Sequence, residues 1–164
     1  MASIGTTQLT ATDVHDVTTE KNGVLGMRAV TADGRVYRYA KNGTTALAAG
    51  ATVEAPATSE FSTSTRDALQ VADSTIHIAS SVGALGAAYE NAVVNINDAL
   101  YLANGVSGQY VSLADRIDRP VADSDPVVIT ANQYCGVVAG SGDVIGTAEV
   151  AVPAGAYFWA FVSL

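Results

Sequence analysis

Apolar and polar residues alternate strictly along the segment "TIHIAS": Ile76 and Ile78 fall on one side, Thr75, His77 and Ala79 on the other. A period of two marks a half-buried β-strand, because successive side chains leave opposite faces of the pleat. Further strand-like runs follow: "AVVNIND" and "LYLAN", closed by Asn97-Asp98 and Asn104-Gly105, then "QYVSLADR", "PVVITAN", "CGVVAG", "TAEVAVPAG" and "AYFWAFVSL". Turn residues separate them roughly every 8–12 positions, the spacing of an antiparallel β-sandwich or small β-barrel. One stretch is ambiguous. Val82, Leu85, Tyr89, Val93, Ile96 and Leu100 also fit a helical period, but Gly83, Gly86 and the β-branched Val93-Val94 favour a strand over Val93–Ile96 and a short helical turn at most over Ala84–Asn91.

The first half is patterned less clearly. Residues 1–24 are Thr-rich with only scattered apolar positions, and predict an extended N-terminal arm; residues 25–164 then form a single β domain. "MRAVTADGRVYRYAK" places Asp33-Gly34 between two runs of β-formers, the signal for a two-residue type I′ hairpin. Centring the turn there sets Arg28 opposite Tyr39 and puts Arg28, Val30, Tyr37 and Tyr39 on one face, with Ala29, Thr31, Val36 and Arg38 on the other. "TTALAAGATVEA" predicts a short strand or turn. The Ser/Thr/Ala-rich stretch 55–70 predicts a long loop or a joint.

Composition narrows what such a domain does. The chain has 164 residues, 49% hydrophobic and only 15% charged, with 8 Lys+Arg and a net charge of −8. No basic stripe offsets phosphate repulsion, so nucleic acid is not an expected partner. A low-charge Thr/Ala/Asn surface is instead cheap to desolvate against other protein. The start lacks a basic segment followed by an apolar one, and no window approaches the roughly 20 apolar residues of a membrane span. The expected place of synthesis is therefore a cytoplasm, without a membrane partner. "NGT" at Asn42–Thr44 then reads as a turn, and the lone Cys135 as a small buried hydrophobe.

Candidate chemistry is sparse. His15 and His77 lie far apart with no metal-ligand spacing around them. "DRIDRPVADSDP" gathers Asp115, Asp118, Asp123 and Asp125, but Arg116 and Arg119 alternate with them, and the spacing matches no calcium loop; it reads as a charge-balanced surface turn. "GSGDVIG" (140–146) departs from phosphate-binding glycine runs and reads as a hairpin loop. No catalytic residue, cofactor or metal is expected, and the chain is not read as an enzyme. Three arginines, Arg28, Arg35 and Arg38, crowd within eleven positions beside Tyr37 and Tyr39. Arg and Tyr are enriched in protein interfaces, so these five are the candidate contact residues.

The segment from Gly26 to Gly50 resembles the opening of a family of small virion-associated proteins of tailed bacteriophages, through Arg28, Asp33, Gly34, Arg35, Tyr37, Tyr39, Ala40, Gly43, Ala46, Leu47 and Gly50. "ITANQYCGVV" and "TAEVAVPAGAYFWAFV" are similar to two later blocks of that family; Gln133 stands where the family usually has proline, and longer members continue beyond the point equivalent to Leu164. The resemblance implies a capsid cement (decoration) protein on the outside of the head, bridging major capsid subunits. It also implies a homo-oligomer, by analogy a trimer, made in the bacterial host cytoplasm and resident in the virion. Two alternatives remain on sequence grounds. One is a tail-side or fibre-attachment structural protein. The other is a carbohydrate-binding β module using Tyr37, Tyr39, Tyr110 and Trp159 as a stacking platform.

Overall fold

The computed structural model describes residues 6–9, 13–56, 60–80, 89–140 and 142–164. Among the described residues the regular structure is mainly β, with a 3₁₀ turn at Asp13–His15. Thirteen strands run in chain order as β1 (Thr6–Leu9), β2 (Arg28–Thr31), β3 (Val36–Asn42), β4 (Thr52–Glu54), β5 (Glu60–Ser64), β6 (Thr75–His77), β7 (Val93–Ile96), β8 (Ala99–Ser107), β9 (Tyr110–Leu113), β10 (Pro126–Thr130), β11 (Cys135–Val137), β12 (Val144–Thr147) and β13 (Tyr157–Ser163). They form two sheets of mainly antiparallel pairing, as the alternation predicts. The expected turn over Ala84–Asn91 falls for the most part outside the described residues.

The chain divides into two compact units, and the first passage between them lies in the 55–70 stretch. Residues 58–132 build the inserted unit. Ile4–Ala57 and Gln133–Leu164 build the host unit. The inserted sheet has the order β5-β10-β7-β8-β9-β6 and curls into a half-barrel. Its outer strands meet at a Thr65–Ile78 bridge, with Arg66 N donating to His77 O at 2.8 Å. Glu60 pairs with Thr130, so the chain enters and leaves this unit on neighbouring strands. Ile76, Ile78, Val94, Ile96, Val111, Val127 and Ile129 point into the concave side and are buried together. This burial drives the curl, since a flat sheet of these strands would leave one apolar face wet.

The host sheet has the order β1-β2-β3-β13-β12-β4, with β11 also paired to β3. β1 and β11 run parallel to their partners. Both faces of the central strands are covered. On one, Ala40, Phe158 and Ala160 pack with Leu47, Val53, Val137 and Val152. On the other, Val14 packs on Ala29 and Tyr37, and Leu25 on Tyr39 and Tyr157. Part of the expected arm therefore serves the host core. Val14 is buried, and Thr18 exchanges two backbone hydrogen bonds with Tyr157 at 3.0 and 2.8 Å.

Several local expectations need correction. The hairpin loop holds three residues, not two. Thr31 N donates to Arg35 O at 2.9 Å and Gly34 N to Thr31 O at 3.0 Å. Gly34 has φ 87°, whereas Asp33 keeps a negative φ, the geometry of a type I turn closed by a left-handed glycine. The Asp33 carboxylate accepts a bond from the Thr31 hydroxyl inside this turn. The register accordingly becomes Arg28–Arg38, Ala29–Tyr37 and Val30–Val36. That one-residue slip moves every side chain of one strand relative to the faces of the other. The type I′ geometry appears instead at Asn97-Asp98, both with positive φ, between Ile96 and Ala99.

Other boundaries move as well. The 55–70 stretch contains β5, because Phe61 and Thr63 alternate toward the inserted core against Ile129 and Val127. β8 continues through Asn104-Gly105 with a register shift there and does not end. The "GSGDVIG" run supplies the first three residues of β12, and in "TAEVAVPAG" only Thr147 belongs to a strand; Val152 makes an isolated bridge to Leu47.

Candidate functional site

The corrected register decides what the hairpin presents. Tyr37 and Tyr39 face inward and are 0% and 3% exposed. Arg28, Val30, Val36 and Arg38 share the opposite face, each partly exposed. Arg28 sits directly across from Arg38. Like charges in that relation repel, by up to about 1 kcal/mol in a cross-strand pair. Arg38 Nη1 donates to Gly26 O at 2.9 Å, and no carboxylate among the described residues pairs with either guanidinium.

Arg35 behaves differently. Its Nη2 lies 2.9 Å from Glu149 Oε2, and its guanidinium stands 4.7 Å above the Phe161 ring. The same carboxylate accepts the Tyr37 hydroxyl through Oε1 at 2.5 Å, and His15 Nε2 approaches that oxygen at 3.9 Å. Tyr37 meets Phe161 edge-on at 5.6 Å. Glu149 thus ties the hairpin to the loop after β12 and satisfies a hydroxyl that would otherwise be stranded in the core. Burial, reinforced by the bond to Glu149, pushes the Tyr37 hydroxyl up to about 12 from its ordinary 10.

This shift has a sign. The folded state holds the Tyr37 proton more tightly than the unfolded chain, so its stabilisation is complete below pH 10 and is lost as pH rises toward about 12. Tyr37→Phe is expected to flatten the alkaline fall in stability over that interval. It should also lower stability at neutral pH by about 1 kcal/mol, for the lost hydrogen bond. Denaturant titrations at neutral pH and between pH 10 and 12 check both; an alkaline fall as steep in the variant as in the parent would assign it to another group.

Tyr39 belongs to an aromatic cluster. It stacks on Tyr157 at 5.9 Å and tilts against Trp159 at 5.0 Å, and its hydroxyl accepts a bond from Asn22 N at 2.9 Å. Of the four aromatics in the expected carbohydrate platform, Tyr37, Tyr39 and Trp159 lie in this buried or half-buried layer of the host unit, and only Tyr110 is exposed. Asn42 is 2% exposed and spends its amide on the carbonyls of Thr45, Val152 and Pro153, so the sequon is a turn-bracing asparagine.

In the inserted unit the acidic segment folds on itself. Asp118 Oδ1 accepts the Tyr101 hydroxyl at 2.6 Å and Arg119 Nε at 3.3 Å. These bonds, Tyr101 first, hold the Asp118 carboxyl below its usual range, while burial and the same contact push the Tyr101 hydroxyl up. Asp125 caps the turn through Ala122 N at 2.9 Å and Asn97 Nδ2 at 2.8 Å. An open depression of about 330 Å³ lies beside them, lined by Asp98, Tyr101, Asp115, Arg116, Asp118 and Arg119. Among the described residues no group of His, Cys, Asp and Glu side chains is arranged to hold a metal ion.

Sequence reading missed Glu149 and the pairing of Asp67 with His77. Glu149 lies 114 positions from Arg35 and is a lone acid in an apolar run, so no local signal connects them. Comparison of the chain with family models, with curated proteins and with solved structures returns no match.

Proposed function

We propose that the chain is a capsid cement protein of a tailed bacteriophage, binding the outer surface of the head as a homo-oligomer and bridging major capsid subunits. One observation carries the reading: Arg28 and Arg38, neither paired with a carboxylate among the described residues, face each other on a strand pair whose other face is sealed into the core. An acidic partner surface would turn that repulsion into two charge-assisted contacts. The resemblance to virion-associated proteins supports the same reading. Most of its three blocks, far apart in sequence, assemble in the host unit, where β3 pairs with both β11 and β13. Arg35, Tyr37 and Tyr39 then act within the chain, holding the hairpin in the shape that presents Arg28 and Arg38.

The test uses heads lacking the protein. Mixed with the purified chain, they should retain it through sedimentation, and retention should fall as salt screens the contact. Arg28→Ala with Arg38→Ala is expected to weaken retention about three- to thirtyfold, as two surface charge pairs would. The thermal midpoint should change little, since relief of the repelling pair offsets the lost bond from Arg38 to Gly26 O. Failure of the parent chain to bind heads would sink the cement reading. Undiminished retention of the double variant would sink the assignment of the contact.

A further inference from the structure

We infer that the inserted unit carries a saccharide-binding platform centred on Tyr110, which receives the C–H face of an uncharged sugar ring. The site does not depend on the cement reading. Tyr110 is 54% exposed, on the convex side of the half-barrel. Its two cross-strand neighbours are unequal. On one side the His77 ring stacks against it at 4.6 Å with an interplanar angle of 12°. On the other side the register places Ser107. One face of Tyr110 is therefore braced, and the other looks over a small hydroxyl residue.

The brace is itself fixed, because His77 Nδ1 lies 2.6 Å from Asp67 Oδ2. A ring held in place before binding loses little freedom when a ligand stacks on it. The polarised C–H edge of a pyranose meets the negative face of an aromatic ring favourably. The next row of the same face offers Ser112 and Thr75, both exposed, as hydroxyl partners for ring substituents.

Charge selects among flat ligands. Residues 58–132 contain nine acids and only three arginines. Such a surface repels sulfated, phosphorylated or sialylated sugars, and nucleotides with them. The depression beside Asp118 is a weaker candidate, since Tyr101 and Arg119 already bond to that carboxylate.

The full chain should be applied to a printed array of neutral glucose-, galactose- and N-acetylhexosamine-containing oligosaccharides, beside sialylated and sulfated ones. Binding confined to neutral sugars is expected. Tyr110→Ala should weaken it by about tenfold or more, and Tyr110→Phe should keep it, because the stacking face and not the hydroxyl does the holding. Both variants should keep the parent's circular dichroism and thermal midpoint, as the ring is largely outside the core. No binding anywhere on the array overturns the inference. So does binding that survives Tyr110→Ala, or binding restricted to the charged sugars.

Discussion

Phe158→Ala is expected to cost about 3–5 kcal/mol, a large part of the roughly 5–15 kcal/mol that holds a domain folded. Phe158 is 1% exposed and sits where β13 crosses the middle of the host sheet, opposite Ala40. Its ring fills the space between Leu47, Val53, Val137 and Val152. Leu47 and Val53 precede residues 58–132 in the chain and Val137 and Val152 follow them, so a void there loosens both halves of the host unit together. Denaturant unfolding gives the measurement. A cost below about 1 kcal/mol would mean that the site collapses around the smaller side chain and is not the packing centre described.

Gly146→Ala should cost about 1–3 kcal/mol, the usual penalty of forcing a methyl into a filled site. A Cβ at Gly146 would lie 2.6 Å from Phe161 O and 3.2 Å from the Ala160 Cβ. The obstructing oxygen belongs to the backbone of β13 and has no rotamer to escape into. β12 must then move away from β13, against the pairing of Thr147 with Phe161. Gly105→Ala is the matched control, because nothing stands within 4 Å of its added methyl. Thermal midpoints of the two variants should separate clearly; equal midpoints would refute the close approach of β12 to β13.

Strands whose inward residues alternate cleanly were legible in the sequence. Ile76 and Ile78 point inward as their alternation predicts, and the runs holding Val111, Leu113, Val127 and Ile129 form the strands expected of them, with those four residues buried. Strands made of small or polar residues were not legible. β5 reads "EFSTS" and β12 "VIGT", and each pairs because a neighbouring strand supplies the apolar partners and the ladder. Such tertiary pairing overrides weak local propensity. At the hairpin the residues were right and the faces wrong. "DG" signals a turn, but the hydroxyl of Thr31 bonding to Asp33 and the left-handed Gly34 favour the three-residue form. A single position in the loop thus moved Tyr37 and Tyr39 from a presumed contact face into the core. It also left Arg28 facing Arg38, a pairing that only the folded register reveals. His77 and Tyr110 illustrate the same limit, being neighbours through strand pairing alone.

The passage of the chain through the inserted unit has a mechanical consequence. With Glu60 beside Thr130, the chain enters and leaves residues 58–132 on paired strands, so the two ends of that unit are already joined by a ladder. Tension drawn between β1 and Leu164 runs along the ladders of β2, β3 and β13, which all belong to the host sheet. Along the chain itself, load reaches residues 58–132 only once β4 or β11 has come away from its partner strand.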